Sequence, residues 1–369
     1  MKKPPFLAGL SACAGLLASG AVSAQSTVSI YGVIDASVEH VTKAAPSGGG
    51  LTRVPSLTGS APSRLGFRGT EDLGQGLKTV FTLETGFSPD TGVANQGGRA
   101  FGRQAFVGLS GPWGTVSLGR QYTMLFYSIL ESDILGPNLY SSGSLDSYIP
   151  NARADNAITY RGTFSGLTLG ASYSLGRDAV NAGPSPAGTN CAGENPNDSK
   201  ACREWSALVK YDTATWGTAL AVDELRGGTG AFAGLTSSAM TDRRTSANGY
   251  VKLGGLKLAG GLVRRANGAS ATNGKSDLWY LGAAHQVTPA LLVDGEVFSL
   301  RYKHSVNRAT LAAVRATYSF SRRTAVYATA GHIRNKGTLA LSVSGGQPGG
   351  APVPGGSQSG VAFGVRHSF

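Results

Sequence analysis

From Leu65 to Phe369 the chain repeats one phrase: an alternating apolar and polar run, a short turn, then another alternating run. Alternation at period two puts successive side chains on opposite faces of a strand, so each repeat reads as a two-faced β-hairpin. Function then depends on what each face carries.

The short connections are Gly74-Gln75-Gly76, Gly111-Pro112-Trp113-Gly114, Phe164-Ser165-Gly166, Thr213 to Thr215, Gly254-Gly255, Thr288-Pro289 and Ser321-Arg322-Arg323. All carry turn chemistry or polar residues between β-rich runs. Between them lie longer segments, near 41–62, 88–99, 122–155, 177–203, 227–242, 267–276, 303–306 and 335–358, most of them rich in Gly, Ser, Asn, Pro and Asp. Seven short turns alternating with eight long connections predict sixteen strands, with both chain ends and all the turns on one side. A sandwich or propeller has no reason to alternate connection lengths in this way; a membrane barrel does.

Val28, Ile30, Ile34 and Val38 share one parity and Tyr31, Asp35 and Glu39 the other. Leu65 and Phe67 oppose Arg64 and Arg68; Leu291, Val293 and Val297 oppose Asp294 and Glu296; Val361, Phe363 and Val365 oppose Arg366. One face reads as apolar and the other as charged. A water-soluble barrel would bury the apolar set, but sixteen strands enclose a space too wide for side chains to fill. The expectation is therefore an all-β, transmembrane sixteen-stranded antiparallel barrel, closed because an open edge in lipid leaves backbone groups unpaired. Its apolar face meets lipid and its charged face lines water.

Residues 1–24 read as an export signal: Lys2 and Lys3, an apolar run from Phe6 to Ala18, and Val22-Ser23-Ala24 as a small-residue cleavage site. The barrel domain is then 25–369. A lipid-attachment reading of Leu10-Ser11-Ala12-Cys13 is disfavoured because the apolar run continues past the cysteine. No 18-residue apolar run follows the signal, so no membrane helix is indicated, which does not exclude barrel strands. Mean hydropathy of −0.04 suits strands apolar at every second position. Removing Lys2 and Lys3 takes the net charge from +12 to +10. No Lys/Arg-rich helix or nucleic-acid motif accompanies that charge, so nucleic acid is not an expected partner and anionic solutes are. Cys191 and Cys202 form an even pair in a Gly/Pro/Asn-rich stretch, expected to be a disulfide outside the cytosol; with no further ligands nearby, neither metal nor cofactor is implied.

Four ordered motifs, Ser29 to Asp35 (SIYGVID), Ser63 to Gly74 (SRLGFRGTEDLG), Phe101 to Leu109 (FGRQAFVGL) and Gly114 to Gln121 (GTVSLGRQ), resemble general diffusion porins of Gram-negative bacteria, particularly beta-proteobacterial ones. The resemblance covers essentially the whole chain. It implies a homotrimer in the outer membrane among its lipids, with the third long loop folded into the lumen as a constriction. It also implies that the strand ending at Phe369 is read by the barrel-assembly machinery. By motif position the family's constriction arginines match Arg64, Arg103 and Arg153. At Arg103 the alternation is ambiguous, because Gln104 and Phe106 take the other parity; a bulge or an interface role stays open.

The third long segment, about Tyr122 to Asp155, is the longest and carries Glu131, Asp133, Asp146, Arg153 and Asp155 among Tyr127, Tyr140 and Tyr148. Loops of this length in a compact chain are usually functional. Basic side chains on the wall opposite Glu131 and Asp133 would set up a transverse field across a narrow aqueous passage. Small hydrophilic solutes then pass by size, and ions are weighted by the lining charge. The expected lining includes Arg68, Lys78, Glu84, Arg161 and Arg315. Inward parity gives Arg64, Arg68, Lys78, Arg161, Lys210, Arg244, Lys252, Lys257, Arg315 and Arg366 against Asp35, Glu39, Glu84, Asp212, Asp223, Asp294 and Glu296, a lean toward anions. The competing functions are a channel specific for one small anion such as phosphate or sulfate, and a barrel whose outer loops mediate adhesion. An enzyme is not expected, because His40, His285, His304, His332 and His367 are scattered outside any catalytic motif.

Overall fold

In a computed structural model, residues 26–271 and 273–369 are described. The export signal, its cleavage site and Cys13 lie outside them. The strands are β1 (Thr27–Val41), β2 (Leu51–Arg53), β3 (Arg64–Gly74), β4 (Leu77–Gly86), β5 (Gln104–Gly111), β6 (Gly114–Tyr122), β7 (Arg153–Phe164), β8 (Leu167–Ser174), β9 (Glu204–Asp212), β10 (Trp216–Arg226), β11 (Thr241–Leu253), β12 (Leu256–Asn267), β13 (Lys275–Gln286), β14 (Leu291–Tyr302), β15 (Arg308–Ser319), β16 (Thr324–Lys336) and β17 (Ser357–Ser368). β2 is a three-residue strand on the loop end of β1; the other sixteen form the wall.

Every neighbour is antiparallel, and the sheet closes on β1. The first half of β1 pairs with β3, Thr27 opposite Thr70, and its second half with β17, Val33 opposite Ser368 and Val41 opposite Gly360. Gly32 and Phe369 seal the seam with reciprocal backbone hydrogen bonds of 3.1 Å. Closure leaves the sixteen-stranded wall without a free edge, so its strands pair their backbone groups with each other and not with solvent.

All seven short connections fall at one end of the wall, where the sequence places them. At the first, Gly74 and Gly76 adopt φ of +87° and +78°, a backbone that a Cβ would strain, and Gln75 between them also has positive φ. The long connections gather at the opposite end. Among the described residues no helix is long and apolar enough to cross a membrane; strands do the crossing.

The outward face matches the alternation: Val28 is 65% exposed, Leu281 70% and Phe363 67%, while Asp35 and Glu39 on the other parity are buried. The inward face departs from it. Toward the loop end of β12 to β16 many inward positions are apolar rather than charged: Val263, Leu278, Phe298, Leu300, Leu311 and Ile333 are all buried. They form one core with Ile129, Leu135, Leu139, Tyr140, Leu145 and Ile149 of the connection between β6 and β7. A purely charged inner face is thus corrected: part of the wall is apolar on both sides because a segment of chain packs against it from within. Each such buried side chain contributes about 2 kcal/mol to holding that segment.

Candidate functional site

The connection from Thr123 to Ala152 begins with the short helix Met124–Ile129 and crosses the inner face of the wall strand by strand. Met124 N–H donates to Ser206 Oγ of β9 (2.9 Å), Ser128 Oγ lies 3.0 Å from Ser246 Oγ of β11, and Ser132 Oγ 2.9 Å from the Tyr280 hydroxyl of β13. Leu135 N–H donates to Glu296 of β14 (3.0 Å), and its carbonyl accepts from Arg315 of β15 (3.3 Å). Tyr140 then covers Gly331 of β16 and Gly360 of β17, where a Cβ would approach the ring to 2.9 and 2.7 Å, so only glycine admits it. The return leg is held by Asp146 on Arg244 (2.8 and 3.1 Å) and by the Tyr148 hydroxyl donating to Glu204 (2.9 Å). Every tether on the wall is an inward-parity residue, so the segment lies against the inner face of these strands.

Beside the start of that segment, β3 to β7 assemble a basic cluster. Glu84, inward on β4, is its hub: it accepts from Arg103 Nε (2.6 Å) and from the Tyr31 hydroxyl (2.9 Å), and Arg64 Nε lies 3.7 Å away. Tyr122, the last residue of β6, accepts from Arg103 (2.6 Å) and from Arg153. The Arg153 guanidinium also stacks 4.1 Å from the centre of the Tyr122 ring, whose other neighbour is Phe126 at 3.8 Å between centroids. Arg161 of β7 sits 4.1 Å over the Tyr127 ring. Cation–π contacts of this kind fix guanidinium groups without cancelling their charge.

Arg64, Arg103 and Arg153 are therefore brought together. Arg103 resolves its ambiguous parity by preceding β5 rather than belonging to it: its own N–H bonds the Glu84 carbonyl at 3.0 Å, and its side chain turns inward outside the ladder. Arg103 and Arg153 are buried by these contacts, whereas the Arg64 side chain keeps 27% exposure.

The two acids named on the crossing segment lie elsewhere and differ from each other. Glu131 is half-exposed and pairs with Lys257 at 3.0 Å; that contact, with Lys210 and Lys252 nearby, holds its carboxyl below the usual range. Asp133 is buried and accepts from Ser142 Oγ at 2.6 Å, tying the segment to itself instead of facing open water. Burial pushes its carboxyl up, an effect that the Ser142 hydrogen bond and Arg315 only partly offset.

Of the expected lining residues, Arg68 and Lys78 are exposed, Arg68 lying 5.0 Å over the Tyr31 ring, and Glu84 is spent within the cluster. Arg315 is paired with Asp294 (2.6 Å) and serves as a tether. Sequence parity did not find Tyr122 and Tyr127, whose ring faces orient the guanidinium groups; their signal was only a run of aromatics beside Gln121. At the loop end, a cavity of about 560 Å³ reaches Arg103 and is lined by Asn95, Asn138, Ser147, Pro186 and Ser344. Beside it the sulfurs of Cys191 and Cys202 are bonded, 2.02 Å apart, in a small core with Ala231 and Leu235. Among the described residues no cluster of His, Cys, Asp or Glu has the geometry of a metal site.

Residues 9–338 match the family described as Gram-negative porin. The chain is 32% identical to Outer membrane porin protein 32 of Delftia acidovorans over 98% of its own length and 99% of that protein. It is 36% identical to an outer membrane porin protein of Bordetella pertussis over 46% of its own length and 49% of the other. Among solved structures it is similar to an anion-selective porin from Comamonas acidovorans (TM-score 0.74, 23% identity, 94% of this chain and 100% of that one). An outer membrane protein of Vibrio cholerae in a trimer form shares the fold at TM-score 0.64 and 15% identity, over 93% of this chain and 99% of that one.

Proposed function

The chain belongs to the Gram-negative porin family, and from that premise we propose that its channel favours anions, with the Arg64, Arg103 and Arg153 cluster on one side of the constriction and the Thr123–Ala152 segment on the other. It is an outer-membrane β-barrel through which small hydrophilic solutes diffuse passively. Family and fold are those of a channel rather than an enzyme.

The observation that carries the anion preference is the imbalance of unpaired charge. Arg64 and Arg103 share one carboxylate, Glu84, and Arg153 joins them through the Tyr122 hydroxyl with no carboxylate of its own. Beyond them Arg68, Lys78, Arg161, Lys252 and Arg366 point inward without an acidic partner among the described residues, while Asp294, Asp242 and Glu39 are each neutralised by an arginine. The inward carboxylates without an ion pair, Asp35, Glu204, Asp223 and Glu296, are buried away from the passage. In a narrow passage with low-dielectric walls, unpaired cations raise the local concentration of anions. Entering solutes meet the external cavity, then the arginine wall, then the basic turn-side group of Lys210, Lys252 and Lys257 around Glu131. The name of the Comamonas structure agrees with this direction.

Assembly as a homotrimer is part of the same reading, supported by the trimer form of the Vibrio protein. So are export through residues 1–24 and delivery of the Phe369 strand to the assembly machinery. The decisive experiment is planar-bilayer recording of the purified protein in a potassium chloride gradient. The reversal potential is expected on the chloride side, with conductance steps in threes; a potential on the potassium side would overturn the anion preference.

A further inference from the structure

The outer surface of the wall carries a second basic feature, separate from the lumen. At the loop end of β14, β15 and β16, Arg301 stands in register with Arg308, and Arg308 with Lys336. They share the parity of Val297 and Val314, so they face away from the lumen, and all three are exposed. With strands about 4.8 Å apart, the three cations rise from backbone positions spanning roughly 10 Å. Arg334, the next outward position along β16, extends the group.

Like charges directly opposite one another weaken a sheet unless something neutralises them. Nothing within the described residues does so here. The neighbouring carboxylate, Asp277, stands opposite Arg301 but is taken by Arg264 at 2.9 Å and Lys303 at 2.5 Å. Arg301, Arg308 and Lys336 instead border a cavity of about 630 Å³, completed by Tyr302, Asn307 and Val306, the last 78% exposed. Toward the turn end the outward residues of the same strands are apolar: Val297, Val314 and, on the next strands, Leu281 and Val361. The cleft therefore sits where the hydrocarbon band meets headgroups.

We propose that this cleft binds the phosphate groups of an anionic glycolipid of the outer leaflet, whose acyl chains lie along Val297 and Val314. Arginine presents a planar fork that matches phosphate bidentately, and lysine adds a mobile point charge. A row of three cations suits a headgroup bearing two phosphates. The adjoining apolar wall selects a lipid over a free anion, because a soluble phosphate gains nothing from it. Its place on the outward parity of the wall separates this site from permeation.

The test uses the full barrel in detergent with three probes: bisphosphorylated lipid A, the same glycolipid with both phosphates removed, and inorganic phosphate. The triple variant R301Q/R308Q/K336Q is expected to bind the bisphosphorylated lipid roughly 100-fold more weakly, at about a fivefold loss per cation near a membrane surface. Conductance and reversal potential should stay at wild-type values, which also reports that the barrel is intact. Should the triple variant fail to assemble, Arg308→Gln alone, at the centre of the row, is expected to lose about fivefold. Undiminished binding by the assembled triple variant, or by Arg308→Gln in its place, would overturn the proposal. So would equal affinity for the dephosphorylated glycolipid, or full displacement of the lipid by millimolar inorganic phosphate.

Discussion

Arg103 and Arg153 donate to the same acceptor, the hydroxyl oxygen of Tyr122. Two guanidinium groups that would repel each other are held side by side by one phenol and its ring face, so the positive charge of the wall has a fixed position. Tyr122→Phe keeps the ring and removes the shared acceptor, leaving two buried donors unsatisfied at about 1–3 kcal/mol. The expected outcome is a lower midpoint of denaturant unfolding with the sign of the reversal potential unchanged, since no charge is lost. A variant as stable as the parent would show that the shared hydroxyl carries no weight.

Glu84 is the single carboxylate among these arginines, and its removal separates stability from selectivity. Glu84→Gln deletes the negative charge that Arg103 contacts at 2.6 Å and Arg64 approaches at 3.7 Å. Breaking a buried pair from one side costs about 3–5 kcal/mol. The reversal potential should nonetheless move further toward chloride, because the cluster gains net charge. Neutralising Arg64 and Arg103 together, each to Gln, should move it the other way. Bilayer recordings of the two variants in one salt gradient decide the matter: equal potentials would remove this cluster from the constriction.

How much of this was legible follows from which residues obey the ladder. Period two and the turn glycines specified the strands, because each wall residue has only two directions available and lipid fixes one of them. Arg64, Arg68 and Lys78 were assignable on that ground. Arg103 was not, since it stands one residue before β5 and escapes alternation. Phe298, Leu300 and Leu311 break the rule inside the ladder: apolar on inward parity, they are the signal in the sequence for a segment packed within, legible only once the barrel is known to be wide. The roles of Glu131 and Asp133 were not separable at all. They are two residues apart on one loop, and only the path of that loop makes one half-exposed and the other buried.

The inward apolar patch predicts an asymmetry between two neighbours on β15. Leu311 is fully buried against the crossing segment, whereas Val314, three residues on, is 51% exposed on the lipid side. Leu311→Ala should create a cavity under the segment at about 2–5 kcal/mol, paid locally as loss of docking while the closed barrel persists. Limited proteolysis between Leu130 and Asp146 should accelerate and single-channel current should become noisier. Val314→Ala should change neither. Equal protease resistance of parent and Leu311→Ala would mean that the hydrogen bonds to Ser246, Tyr280 and Glu296 suffice alone.

Asp133 gives the docking a pH dependence whose sign can be worked out. Burial raises its carboxyl above the ordinary value near 4, with Ser142, Glu296 and Arg315 as the neighbouring groups. The docked segment therefore binds the proton more tightly than the released one. This contribution to docking is fully present below the ordinary aspartate value and is lost as pH rises through the raised one. Asp133→Asn cannot ionise and should keep the segment docked across the whole range. Backbone hydrogen exchange of residues 128–136, compared between parent and Asp133→Asn at each pH, is expected to agree in acid and diverge upward from about pH 4, with the parent exchanging faster. Identical profiles at every pH would mean that Asp133 does not titrate with docking.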